Sequence, residues 1–233
     1  MNSFINIDSK LADIIINEPS VVTVLNRFGI TLGVADKTIG SVCAEKNLDR
    51  EFFATIINTY INEDYFPERI LSSFSASKMI DYLRKTNSHY EQFQIPNIER
   101  HFHFLISKSD PANSNLGLML SFFNEVKSEL LSRIANDNKH WFPRVISMEQ
   151  HTPWAIDSEI DGFDEEDDNI EDKINDLVNM LVIHLKGGVD NNLAYAVLTS
   201  LVGLKKDIRQ NNRIRNRILR PLEQALAAQS DKT

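Results

Sequence analysis

The stretch VLTSLVGLKKDIRQNNRIRNRILRPL, residues 197–222, decides the fold. Val197, Leu201, Leu204, Ile208, Asn211, Arg215, Ile218 and Leu222 recur in it at alternating intervals of four and three residues. That spacing keeps all of them on one face of an α-helix. The face is apolar except at Asn211 and Arg215, so the pattern predicts a long helix that aims two polar side chains at its neighbours.

Three further long helical segments lie upstream. Together the four cover about 77–106, 113–141, 164–187 and 190–228, separated by Asp110-Pro111, the stretch 143–163 and Gly187-Gly188. Long helices with such breaks predict a four-helix bundle. Pro96 sits inside the first and is expected to kink it. The inward stripe of the second is Phe123, Val126, Leu130, Arg133, Asp137 and Trp141. The first offers Ile80, Leu83, Asn87 and Tyr90; the third offers Asp167, Ile170, Ile174, Leu177, Leu181 and His184. Each helix therefore directs polar groups inward.

Two of these polar pairs are related by an internal repeat. Arg133 and Asp137 lie ten and six residues before Pro143; Asn211 and Arg215 lie ten and six residues before Pro221. The endings match as well, Trp-Phe-Pro at 141–143 and Leu-Arg-Pro at 219–221.

Residues 1–66 read as a separate small helical domain, 67–76 as a linker and 77–233 as the bundle. In the small domain, Lys10–Asn17 and Ser20–Phe28 are expected helices. Pro19 suits the first turn of the second, and Gly29 suits its left-handed end. Thr38 and Asp49 are expected N-caps of Ile39–Lys46 and Arg50–Ile61, with Leu48 placed to staple the latter.

Composition bounds the function. The chain has 233 residues, 42% hydrophobic and 25% charged, with a net charge of −8. That is globular composition, and the negative balance disfavours nucleic acid as the main partner. No apolar run reaches the roughly 18–20 residues of a membrane span, so no membrane partner is expected. The N-terminus lacks a signal-peptide pattern. The single Cys43 excludes an internal disulfide framework, and a cytoplasmic location is the default.

The repeated polar pair before a proline is similar to the motif of the iron–sulfur cluster repair family of the ScdA and YtfE type, whose hemerythrin-like bundle repeats His-x3-Glu-x5-Pro. Residues 11–58 resemble that family's N-terminal domain at Ala12-Asp13-Ile14, Pro19, Arg27-Phe28-Gly29-Ile30, Lys37-Thr38-Ile39 and Val42-Cys43. Asp81-Tyr82-Leu83-Arg84-Lys85-Thr86 resembles the entry to its first bundle helix. The resemblance implies an all-α chain, a small ScdA-like domain followed by a hemerythrin-like bundle, with a di-iron centre as the family's cofactor.

The ligand positions depart from the family pattern. Asn87 stands at the first-helix histidine and Arg133 and Asp137 at the second-helix His and Glu. Asp167 stands at the third-helix histidine, and Asn211 and Arg215 at the fourth-helix His and Glu. The family's cysteine pair falls at Gly33 and Val34. Arginine stays protonated and cannot ligate iron, so no metal and no other cofactor is expected. Nor do the histidines restore a site. His89 lies about 200° round the helix from Asn87. His184 shares the third helix's inward stripe but lies some 25 Å from Asp167. His101, His103, His140 and His151 lie beyond the ligand levels.

The replaced positions sum to zero charge, Arg133 and Arg215 against Asp137 and Asp167. Balance is what a metal-free polar core requires. An Arg–Asp–Asn network in that space is one expectation; solvation of these side chains near a bundle end is the other. Two charge runs flank it. Residues 157–172 hold ten acids and no base, and residues 205–220 hold seven bases and one acid. They are expected to neutralise each other across adjacent helices. Cys43 is expected to be a buried structural thiol.

These readings point to a degenerate, metal-free relative of the repair proteins. It has no assignable catalytic residue, a role in binding or regulation in nitrosative or oxidative stress, and a protein partner or self-association. The alternatives are a repair protein with an atypical metal site, and a transcriptional regulator.

Overall fold

The computed structural model describes residues 4–110, 113–152 and 168–230. The chain is all-α: no strand occurs among the described residues, where Lys10 and Thr38 form one isolated antiparallel bridge. It divides into two units. The first holds the described residues up to Tyr82 together with Asn212–Ala228, and the second holds the described residues of Leu83–Asn211 with Gln229 and Ser230. Residues 67–76, expected as a linker, lie within the first unit.

In the first unit, α1 (Leu11–Asn17), a 3-10 turn (Pro19–Val21), α2 (Val22–Arg27), α3 (Ile39–Lys46) and α4 (Arg50–Ile61) bury Leu11, Val24, Ile39, Phe53 and Ile56. Local chemistry sets their ends. The Thr38 hydroxyl oxygen accepts from the Ser41 N–H at 3.2 Å, and Asp49 Oδ1 accepts from the Glu51 and Phe52 N–H groups at 3.0 Å. Gly29, at φ 70°, closes α2 in a Schellman turn: its N–H bonds Asn26 O and the Ile30 N–H bonds Leu25 O, both at 3.0 Å. Only glycine adopts that backbone without a Cβ penalty. Phe28 packs on Phe53 and Tyr82, at centroid distances of 4.8 and 5.6 Å. The buried Arg27 donates to the Tyr82 hydroxyl at 3.0 Å.

Why Asn212–Ala228 belongs here is visible in the basic run. The guanidiniums of Arg213 and Arg217 each lie 4.5 Å from the centre of the Phe66 ring. Arg213 also donates to Tyr65 O at 3.0 Å, and Arg217 Nε to Glu68 at 2.7 Å. The short α5 (Glu68–Leu71) follows that contact, and α6 (Ala76–His89) begins beyond it.

The second unit is built on α7 (Ile95–Lys108), α8 (Ser114–Asn136), α9 (Phe142–Gln150), α10 (Ile170–His184) and α11 (Asn191–Ile214). Residues from α7, α8, α10 and α11, among them Ile98, Phe102, Phe123, Leu130, Ile174, Leu177, Leu201 and Ile208, form one buried cluster. Polar contacts fix the antiparallel register. Asn115 donates to His184 O at 3.1 Å at one end of α8 and α10, and Arg133 meets Asp168 at 3.0 Å at the other. Arg209 pairs with Glu171 at 3.0 Å and Lys205 bonds Asn175 at 2.6 Å between α11 and α10. The two charge runs thus neutralise each other in part, at Arg209 and Glu171; residues 157–167 of the acidic run lie outside the described residues.

The expected end of the second long helix at Trp141 is corrected. The helix continues through Pro143 to Gln150, by way of a π-helical turn over Asp137–Trp141. The same device recurs at Tyr90–Gln94 before Pro96 and at Arg215–Leu219 before Pro221, where α12 (Arg220–Ser230) follows. In each, the residue before the proline sends its N–H back five residues: Ile95 to Tyr90, Phe142 to Asp137, Arg220 to Arg215. A proline inside an α-helix loses one N–H and crowds the carbonyl four residues back. A wider turn just ahead of it relieves that crowding without breaking the helix.

Candidate functional site

The π turns position the polar core. At 3.6 residues per turn, side chains four apart drift by about 40° per step around the axis. The wider turn cancels part of that drift, so Arg133, Asp137, Trp141 and Val145 all stay buried. Asn211, Arg215 and Leu219 do the same before Pro221. The first helix carries a third copy that the sequence reading missed. Thr86 and Tyr90, both buried, lie ten and six residues before Pro96. The signal was present in the spacing to Pro96, but the residues there are neither basic nor acidic.

Each expected site residue has a definite place. Asn87, Arg133, Asp137 and Asn211 lie in the second unit, each buried to 97% or more. Arg215 is equally buried and opens the third π turn, in the part of the chain that belongs to the first unit. Asp167 lies outside the described residues. The structure joins Asn87 to Asp137, Nδ2 donating to Oδ2 at 3.4 Å, a long bond at the limit of useful geometry. It joins Arg133 NH1 to Asp168 at 3.0 Å, with the Asp168 side chain 16% exposed. Both amide atoms of Asn211 are buried with no hydrogen-bond partner among the described residues. Asp207, Gln210 and Asn136 are further buried polar residues that the narrow stripe of the sequence reading left out.

This donor set does not fit a di-iron centre. Such a centre needs imidazoles and bridging carboxylates, and Asn87, Arg133 and Asn211 supply neither. No group of three or more His, Cys, Asp or Glu suited to a metal ion occurs among the described residues. Expected on the third helix's inward stripe, His184 is instead exposed, at the last residue of α10. His101 approaches the Ser200 hydroxyl at 3.1 Å, and His89 stacks near Phe93.

The cysteine-pair positions are equally unsuited to thiol chemistry. Gly33 has φ 90°, a conformation that a residue with a Cβ rarely adopts, and Val34 is buried. This loop lines a cleft together with Lys37, Glu45 and Lys46. Lys37 meets Glu45 at 2.7 Å, and that hydrogen bond holds the Glu45 carboxyl below its ordinary range. Cys43 is buried in α3; burial raises its thiol pKa, with Arg50 opposing more weakly. A raised pKa leaves little thiolate at neutral pH.

What the buried set can do chemically is hold charge and shape. Within it, Asp137 accepts from Asn87. In comparisons with known proteins, no family model and no curated protein matches the chain.

Proposed function

We propose that this protein is a metal-free, degenerate relative of the di-iron iron–sulfur cluster repair proteins, acting in binding or regulation in the response to nitrosative or oxidative stress. In this reading the second unit is a hemerythrin-like four-helix bundle, and the first contains the ScdA-like domain. The observation that carries the reading is Arg133. Its guanidinium is fully buried and bonded to Asp168, at the position where the resemblance places a histidine ligand. A permanent cation there repels a metal ion and takes up the carboxylate that would attract one.

Direct assay tests it. The purified protein is incubated with an iron–sulfur enzyme damaged by nitric oxide, with ferrous iron and thiol present. No recovery of that enzyme's activity above the protein-free control is expected. Recovery that depends on the protein would overturn the reading in favour of repair through an atypical site.

A further inference from the structure

The cleft beside Gly33 and Val34 has a volume of about 190 Å³ and is lined by the loop after α2 and by α3. That is room for about six waters, and less than the ~300 Å³ at which pockets for drug-sized ligands begin. Much of its wall is apolar. Ile30, Val34 and Val42 are buried, and Leu32 lines the same space while 66% exposed.

The charged side chains lining it are two lysines and one glutamate. Glu45 accepts from Lys37 at 2.7 Å, and Lys46 acts on the same carboxylate through space. Two ammonium groups against one carboxylate leave one net positive charge, on a chain whose net charge is −8. Among the described residues the Lys46 ammonium makes no hydrogen bond and no ion pair. Main-chain donors lie alongside. The N–H groups of Thr31, Leu32, Gly33 and Val34 meet no acceptor among the described residues. Gly33, at φ 90°, leaves open the space a Cβ would fill, with nothing within 4 Å of it. Glycine at such a point lets a ligand come close to the main chain.

A cation, unengaged N–H donors and an apolar wall around one small space are the parts of a carboxylate site. A phosphate dianion fits them less well. It brings two charges against the cleft's one, and it has no apolar part to lay on Ile30, Val34 and Val42. A neutral apolar molecule would cover Lys46 and the loop donors without giving them an acceptor.

We propose that this cleft binds a small aliphatic monocarboxylate, with its carboxylate on Lys46 and the loop N–H groups and its tail on Ile30, Val34 and Val42. The space of about six waters admits six or seven non-hydrogen atoms, roughly a four- or five-carbon acid. The site stands apart from the proposed function: it uses none of the buried polar residues of the second unit, and either reading can fail alone.

Amide-resolved NMR of the full chain, titrated with sodium isovalerate at constant ionic strength, tests it. Saturable shifts of the Thr31, Leu32, Gly33 and Val34 amide signals are expected, with a dissociation constant of about 1 mM. Lys46→Gln is expected to weaken binding about fivefold or more. Lys108→Gln, which loses the same charge at an exposed position of the second unit, is expected to leave it unchanged. Neutral isovaleramide and inorganic phosphate are each expected to bind at least tenfold more weakly than isovalerate. No saturable shift in this loop overturns the proposal, and so does saturable binding that Lys46→Gln leaves as tight as before or that Lys108→Gln weakens equally. Isovaleramide binding as tightly as isovalerate overturns it in favour of an apolar slot, and phosphate doing so overturns it in favour of a general anion site.

Discussion

Arg133 sets the electrostatics of the core it is buried in. A buried guanidinium needs an anion, and the structure supplies Asp168 at 3.0 Å. Removing one partner of a buried pair costs about 3–5 kcal/mol, and the partial exposure of Asp168 brings the expected loss for Arg133→Met to about 2–3 kcal/mol. Urea unfolding measures it; an unchanged midpoint would show that the pair contributes nothing. Asn211 makes the opposite prediction. An amide buried without partners costs about 1–3 kcal/mol, so Asn211→Leu is expected to raise the melting temperature, and a fall would mean that the amide is satisfied. Asp49 gives a pH signature. The Lys78 hydrogen bond, then the Phe52 N–H, holds its carboxyl below the ordinary range. The folded form therefore gains stability above the unfolded carboxylate pKa and loses it as pH falls through the lower folded value. Asp49→Asn should flatten that acid limb of the stability curve, and an identical limb would contradict it. At this scale much was legible. The offsets from Pro143 and Pro221 located Arg133, Asp137, Asn211 and Arg215 in the buried core. Asp168 as the acid on Arg133 was not legible, because it lies just before α10, where no helical period fixes direction.

Helices show where pattern reading loses its grip. The rule that proline ends a helix stops the second segment at Trp141, yet the chain runs helically to Gln150. Burial of Trp141, Phe142 and Val145 outweighs the lost N–H once a π turn absorbs the crowding. The sign was in the residues: a four-residue repeat sustained over Arg133, Asp137, Trp141 and Val145 does not stay on one face of a regular α-helix. The π turn and the proline are therefore matched. Pro143→Ala in a regular helix would gain about 3 kcal/mol. Here it is expected to gain nothing or to destabilise, because a return to α-geometry turns the downstream face by about 100°. A full 3 kcal/mol gain in chemical denaturation would contradict the account. Caps were read correctly for a simpler reason. Thr38 and Asp49 act within three residues of themselves, so sequence proximity suffices.

For the whole molecule, long-range contacts decided what the sequence could not. Within the first unit, Arg213 and Arg217 of the C-terminal segment meet Phe66 across almost 150 residues. No periodicity encodes that. Phe66→Ala removes both cation–π contacts, at about 0.5–1 kcal/mol each. It should therefore lower stability by about 1–2 kcal/mol, measured by thermal unfolding, and no change would show that the stacking is incidental. The all-α class followed from the stripes, and no described helix is long and apolar enough to cross a membrane. The central claim, that arginine and asparagine have replaced a di-iron site, is tested most directly by the iron content of untagged protein after anaerobic iron loading, with its visible spectrum. The account predicts less than about a tenth of an iron per chain and no oxo-bridged charge-transfer band. Near two irons per chain with that band would contradict it.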